Sequence, residues 1–346
     1  MEGCKAPRRL LAEDLRDTIW RLRLLNSIYE QLVAASADQL PFALGVISGV
    51  KGSSPQKKGA KAIFFADGRI LGTLGGGCLE AEVRERARLA IQKREPTQFD
   101  LVLDHDFGWD DGLICGGKVS GLILPQPTQA ISLWKELAER GRVITWGVTD
   151  QFEIAQIQTR IGGAWIYSET VSPPIELWIA GSGHVAQALA ALAQQLDFRV
   201  TVFDDRPELA NHKQFPAPVQ LRVNSWKVLL QEPVSTGPTF GVILTRGHQH
   251  DALVLRDWIQ RSFQFLGMIG SRRKWRLIRT QFLEDNLASV EALDRVHCPV
   301  GVAIDAVSVP EIAVSILAQL IQERTKLLSP QCLRAALDTN PSESAP

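Results

Sequence analysis

Apolar residues in the C-terminal half come in short unbroken runs joined by stretches of helical spacing, the pattern of strands buried on both faces of a parallel sheet. The clearest stretch is IELWIAGSGHVAQALAALAQQLDFRVTVFDDR, residues 175–206, which reads as strand, glycine turn, helix, strand and acidic residue. Further strands are predicted at VQLRV, FGVILTR and FQFLGMIG, separated by helical stretches such as ALVLRDWIQRSF. This alternation predicts ligands at the carboxyl ends of the strands. The N-terminal half is patterned differently. Over residues 10–35, Leu11, Leu15, Ile19, Leu22, Leu25, Ile28, Tyr29 and Leu32 recur at helical spacing. From Pro41 the pattern becomes strand-like, with FALGVISGV followed by AIFFADGRILGTL, where Asp67-Gly68 signals a hairpin turn. A helix over 79–93, the strand QFDLVLD, a turn-rich stretch over 104–118 and the strand VSGLILP follow. A helix over 129–140 and the runs RVITWGV, FEIAQIQ and AWIYSE then lead to Ser172-Pro173-Pro174, a predicted boundary.

The expected architecture is α/β: a C-terminal Rossmann-like, doubly wound parallel sheet plus an N-terminal α+β domain. The expected divisions are a leading helical segment (1–40), the α+β domain (41–127), a connecting helix with short strands (128–174), the Rossmann-like domain (175–330) and a tail (331–346). A length of 346 residues fits two domains.

Composition narrows the function classes. The chain is 45% hydrophobic and 22% charged, and 38 basic residues balance 38 acidic ones. It carries no net electrostatic footprint for nucleic acid. No apolar run reaches membrane-spanning length. The N-terminus carries Glu13, Asp14 and Asp17 and lacks the continuous apolar stretch of a secretory signal. The five cysteines (4, 78, 115, 298 and 332) form no CxxC pair, so free thiols in a reducing cytoplasm are expected.

Candidate chemistry begins at GTLGGGCLEAEV, where Gly75, Gly76 and Gly77 precede Cys78 and a helix. Three consecutive glycines lower the stability of an ordered loop unless positive φ or a close approach requires them. A helix N-terminus favours a thiolate. A glycine-rich turn with a small buried cysteine is the alternative for this stretch taken alone. In the helix, Glu80–Arg84 and Glu82–Arg86 stand at the favourable i,i+4 spacing.

The second candidate is Gly181-x-Gly183-x-x-Ala186, with strand before, helix after and Asp204 closing the next strand. Gly181 allows the tight turn, Gly183 the approach of a phosphate and Ala186 close helix packing. Asp204 would bond a ribose diol, and Arg206 would meet a phosphate or pair with a carboxylate. Two further clusters follow strands. TRGHQHD holds Arg246, His248, His250 and Asp251, whose two histidines have metal-pair spacing but no evident third ligand. GMIGSRRKWRL sets Gly270, Ser271, Arg272, Arg273 and Lys274 at a helix start, a pattern suited to an oxyanion or to a solvated basic turn.

Together these stretches resemble the xanthine dehydrogenase accessory protein family (XdhC/CoxI). The resemblance lies in GSSPQKKGAKAIFFADGRILGTLGGGCLEAEV, in CGGKVSGLILP, and in the glycine-turn half with TRGHQHD, GMIGSRRK and PEIAVSILAQLI, covering most of 41–325. It departs in HCPVGVAIDAVSVPEIA, where Ala303 stands at the family's usual Asp and Asp305 at its usual Gly, so that loop receives no role. The resemblance implies a chaperone of the molybdenum cofactor (molybdopterin), delivering it to a xanthine dehydrogenase-type enzyme without turnover of its own. A sulfurtransferase is the further partner it implies. By the same resemblance Cys78 and Cys115, the latter before Gly116-Gly117 and after Asp104, Asp106, Asp110 and Asp111, would contact the molybdenum or guard its sulfido ligand. Ser53 and Ser54, with Lys57, Lys58 and Lys61, would engage the pterin phosphate, and a two-domain clamp would close on the cargo.

Two rival classes stand beside this. One is an NAD(P)-dependent oxidoreductase, favoured by the Gly181–Asp204 fingerprint but lacking a convincing acid/base beyond His184 and His248. The other is a regulatory protein that senses a nucleotide. Five scattered cysteines hold no pair of iron–sulfur clusters, so the chain alone is not the dehydrogenase. The leading helix and nine tryptophans leave room for a homodimer interface.

Overall fold

The structure, a computed structural model, describes residues 27–38, 40–103, 117–157, 164–235 and 237–327. The chain divides between Pro173 and Pro174 into two compact units.

In the first unit, β1 (Phe42–Lys51), β2 (Lys61–Phe65), β3 (Ile70–Gly72), β4 (Thr97–Leu103) and β5 (Gly117–Pro125) form an antiparallel sheet in the order β3-β2-β1-β5-β4. The β2–β3 turn is the Asp67-Gly68 hairpin: Gly68 has φ 89° and the Arg69 N–H donates to Asp67 Oδ1 at 3.0 Å. Alternation along β1 sends successive side chains to opposite faces. Ala43 and Ile47 meet Leu79, Val83, Ala87 and Ala90 of helix α2 (Gly77–Lys93). Phe42, Leu44 and Val46 meet a second core, supplied by helix α1 (Ile28–Ala37) and helix α3 (Ile131–Glu139). That core also includes Trp146 and Tyr167 from a small antiparallel sheet, β6 (Ile144–Thr149), β7 (Ile154–Gln156) and β8 (Trp165–Val171), in the order β7-β6-β8. Residues 128–174, expected as a connecting segment, thus share a core with the strands before them, because Trp134 and Trp146 are fully buried there. Of the leading helix only α1 falls within the described residues, and its Ser27–Glu30 capping box fixes its start.

Lys61 departs from the phosphate-binding role that the resemblance implies for it. It is buried, its ammonium donates to the Gly59 carbonyl at 2.8 Å, and it is ion-paired with Glu169 of β8. The same Glu169 oxygen accepts from the hydroxyls of Tyr29 (3.0 Å) and Tyr167 (2.8 Å). Lys61 is therefore committed internally, whereas Lys57 and Lys58 are exposed.

In the second unit, β9 (Ile175–Ala180), β10 (Phe198–Asp204), β11 (Gln220–Val223), β12 (Thr239–Ile243), β13 (Phe265–Met268) and β14 (Val296–His297) form a wholly parallel sheet in the order β11-β10-β9-β12-β13-β14. This is the Rossmann order, with its reversal between β9 and β12. Helices α4 (His184–Gln195) and α9 (Val309–Leu327) cover one face through Leu189, Ala190, Ile316 and Leu320. The other face packs Trp178, Ile243 and Met268 against α5 (Trp226–Leu229), α6 (His248–Trp258), α7 (Arg272–Glu284) and α8 (Val290–Asp294). The sheet is doubly wound, and both its faces are apolar for that reason.

Candidate functional site

The glycine loop of the first unit is tied to the helix it precedes. Glu80, in the first turn of α2, turns back so that Oε2 accepts from Thr73 Oγ1 (2.9 Å) and from the Leu74 N–H (3.0 Å). Thr73 Oγ1 in turn accepts from the Gly75 N–H at 3.0 Å. A carboxylate suits this end of a helix, and it serves the loop instead of Arg84. Farther along, Arg86 pairs with Glu82 at 2.8 Å as its spacing predicts.

Gly75, Gly76 and Gly77 have φ of 119°, 73° and 58°. At Gly75 the need for glycine is twofold, since a Cβ there would also stand 2.8 Å from Cβ of Pro55. The loop containing Ser53, Ser54 and Pro55 is closed in from its other side by Gly117, where a Cβ would lie 1.9 Å from the Ser53 carbonyl oxygen. Three stretches far apart in sequence therefore meet: the Ser53–Pro55 loop lies between Gly75 and Gly117. Ser53 is exposed, whereas Ser54 Oγ is buried without a hydrogen-bond partner. Gly76 faces open space, and Gly77 and Cys78 are exposed at the start of α2. Cys115, Gly116 and the acidic residues Asp104, Asp106, Asp110 and Asp111 lie outside the described residues.

In the second unit the candidate residues gather at the carboxyl ends of the parallel strands. Gly181 has φ 111°, and a Cβ there would lie 2.3 Å from the Leu244 carbonyl oxygen, so β9 and β12 end in backbone contact at the reversal of strand order. Gly183 is the N-cap of α4 and opens onto free space, His184 is exposed and Ala186 is fully buried.

Asp204, expected to receive a ribose diol, is buried and engaged within the protein. Oδ2 accepts from Ser182 N–H (2.7 Å), Ser182 Oγ (2.8 Å) and Arg206 Nη2 (2.8 Å), and Oδ1 accepts from Arg206 N–H and Nε (both 2.9 Å). Burial alone would raise its pKa, but the bonds from Arg206 and Ser182 outweigh burial and bring it to about 2. Of the two roles open to Arg206, pairing with a carboxylate is realised here.

Past β12, the fully buried Asp251 accepts from Thr245 Oγ1 at 2.6 Å and is ion-paired with Lys274, which also donates to the Ile269 carbonyl at 3.2 Å. Lys274 is thereby neutralised, and Ser271 caps α7 by accepting from the Lys274 N–H at 3.2 Å. Arg272 and Arg273 are exposed and have no ion-pair partner among the described residues. His248 and His250 lie in the first turn of α6, and no group of three or more His, Cys, Asp or Glu residues suited to a metal occurs among the described residues. Cys298 is half-buried, and burial pushes its thiol up to about 11. Pro55 and Asp205, which pairs with Arg246 at 3.1 Å, are local partners that the sequence pattern does not single out, and Glu80, spaced for Arg84, bonds the glycine loop instead. An acidic residue in a helix's first turn was the available signal for Glu80.

Comparisons with known proteins agree with this division. Residues 35–103 match the family described as XdhC and CoxI, and residues 177–320 match the XdhC Rossmann domain. An uncharacterized protein, YqeB, of Escherichia coli (strain K12) is 28% identical over 297 residues, with 86% of this chain and 46% of that protein covered, so the chain spans under half of that relative. A probable xanthine dehydrogenase subunit of Bacillus subtilis (strain 168) is 25% identical, covering 88% of this chain and 99% of that one. The molybdenum cofactor insertion chaperone PaoD of E. coli (strain K12) is 22% identical, covering 82% and 84%. A crystal structure described as a xanthine dehydrogenase from Bacillus halodurans superimposes with a TM-score of 0.76 at 26% identity, over 89% of this chain and 99% of that one. No helix among the described residues is long and apolar enough to cross a membrane.

Proposed function

Because the chain belongs to the XdhC and CoxI family, we propose that it is an accessory factor that binds the molybdenum cofactor as cargo and delivers it to a xanthine dehydrogenase-type enzyme. The observation that carries this reading is the meeting of the Ser53–Pro55 loop with Gly75 and Gly117, beside the exposed Cys78. Gly76 and Gly77 offer bare backbone at a helix start, where N–H groups stabilise an anionic cargo. The buried Ser54 hydroxyl lacks a partner and is a donor for the same anion. Cys78, with Cys115, supplies a soft thiol contact to molybdenum or its sulfido ligand. A sulfurtransferase is the partner that such sulfur chemistry requires, and a cytoplasmic homodimer is the working form under this reading. Gly181, Gly183, His184, Arg272 and Arg273 form the second, phosphate-facing part of the proposal.

The test is retention of pterin fluorescence after gel filtration of the chain mixed with molybdenum cofactor. Wild type is expected to retain the pterin, and Cys78→Ala to retain less while remaining folded. No retention by wild type, with nicotinamide turnover on a small substrate, would establish the oxidoreductase reading instead. The engaged state of Asp204 weighs against that reading in its usual NAD-binding form.

A further inference from the structure

In dinucleotide-binding sheets the acidic residue ending the second strand takes the ribose diol, and a nearby arginine serves where the ribose carries a phosphate. Here the Asp204 carboxylate is closed to a diol, since Ser182 and Arg206 already fill its acceptor positions. Its effect falls on Arg206 instead. Two guanidinium donors, Nε and Nη2, are fixed on Asp204, which orients the planar fork and leaves its remaining N–H groups directed elsewhere. Arg206 keeps a 20% exposed side chain. Arg206 Nε lies 4.0 Å from one oxygen of Asp205, and Arg246 Nη2 donates to the other at 3.1 Å. One partly exposed carboxylate therefore stands between two guanidiniums, one on the turn after β10 and one on the turn after β12.

We propose that the Arg206–Asp205–Arg246 cluster binds a phosphomonoester, with Asp205 holding its place until the ligand arrives, and that Arg206 makes this unit select phosphorylated ligands over a free ribose diol. A phosphomonoester presents three acceptor oxygens to forks that Asp205 meets with two, and Arg geometry matches phosphate. The inference rests on the second unit alone and does not require the cargo reading. The same chemistry has two sources, the ribose phosphate of NADP and the phosphate of a pterin cargo.

The test titrates the full chain with NADPH and NADH, which differ only in that phosphate, and repeats the comparison with molybdopterin and its dephosphorylated form. Tighter binding of the phosphorylated member by roughly tenfold or more is expected, with a steep salt dependence. An advantage confined to NADPH identifies the nucleotide as the source, and one confined to the pterin identifies the cargo. Arg246→Ala, at a half-exposed position, should erase the advantage without loss of fold. Arg206→Ala should erase it and free Asp204 for NADH, whereas Asp205→Asn should strengthen binding of the phosphorylated member. Equal binding within both pairs, no binding by any of the four, or an advantage unchanged in Arg246→Ala would overturn the proposal. Pterin retention that depends on Cys78 survives such a failure, which separates the two readings.

Discussion

Lys61 and Glu169 form an ion pair beneath aromatic rings, with the ammonium 5.5 Å from the Tyr29 ring centroid, 5.8 Å from Trp146 and 6.0 Å from Tyr167. The pair joins the five-stranded sheet to the small sheet on its far side. Burial lowers the lysine's pKa and Glu169 opposes that shift, so the charge persists because of its partner. Breaking a buried pair from one side leaves the other charge unpaired, at a cost of about 3–5 kcal/mol. Lys61→Met is discounted toward the low end because it strands Glu169, whose side chain is 26% exposed and keeps the Tyr29 and Tyr167 hydroxyls. Glu169→Gln, which strands the 4% exposed Lys61, should be the more damaging variant, measured by urea unfolding, and the double variant should recover part of the loss. A Lys61→Met protein as stable as wild type would show that the rings alone hold this junction.

Glycine substitutions should separate by what surrounds them. Gly117→Ala drives a methyl into the Ser53 carbonyl and should prevent native packing there. Gly75→Ala meets both strain and Pro55, for a loss of about 2–3 kcal/mol. Gly76→Ala meets strain alone, at φ 73° and ψ −170° where essentially only glycine is at ease, and should lose about 1–2 kcal/mol. Thermal denaturation in that order checks the wedge of Ser53–Pro55 between the two glycines.

Acid should weaken the second unit through Asp204. Its folded pKa, about 2, lies below the ordinary 3.8, so its stabilisation is fully present above pH 3.8 and is lost as pH falls toward 2. The contribution is on the order of 2 kcal/mol. Asp204→Asn should flatten this limb of a stability–pH curve while lowering stability at neutral pH.

His297 should add a second acid limb at higher pH. Burial lowers its pKa from 6.5, and Gln319 Nε2 stands 3.0 Å from its Nδ1, oriented as a donor by the bond that Gln319 Oε1 accepts from the Gly301 N–H. Neutral imidazole is thus favoured in the folded state. Its stabilisation is present above 6.5 and declines as pH falls through the depressed folded value. His297→Gln should remove that dependence, read by chemical unfolding between pH 7 and about 5.

What could be read from the chain beforehand follows from range. The Asp67-Gly68 hairpin and the Gly181 turn are local events, dictated by residues within one or two turns, and both lie where their motifs indicate. β14 consists of Val296–His297 alone, too short for any periodicity, and exists because β13 offers it an edge. Lys61 resembles its exposed neighbours Lys57 and Lys58 until Glu169, more than a hundred residues later, draws it inward. Asp204 has the position of a ribose acceptor, and only the proximity of Ser182 and Arg206 commits it elsewhere. Residue types announce turns, whereas the company they keep decides whether a charge faces a ligand or the protein itself.

Glu80 holds the backbone at Leu74 and the hydroxyl of Thr73 from within α2, so the loop and the helix behave as one stiff piece. A molecule arriving at Cys78 would then be sorted by a prepared outline instead of being enveloped by a yielding one. The amide of Leu74 should exchange its hydrogen slowly beside a freely exchanging Gly76, and Glu80→Ala should abolish the contrast. Selectivity would in that case be set before any encounter, by a carboxylate that need never touch what it helps to choose.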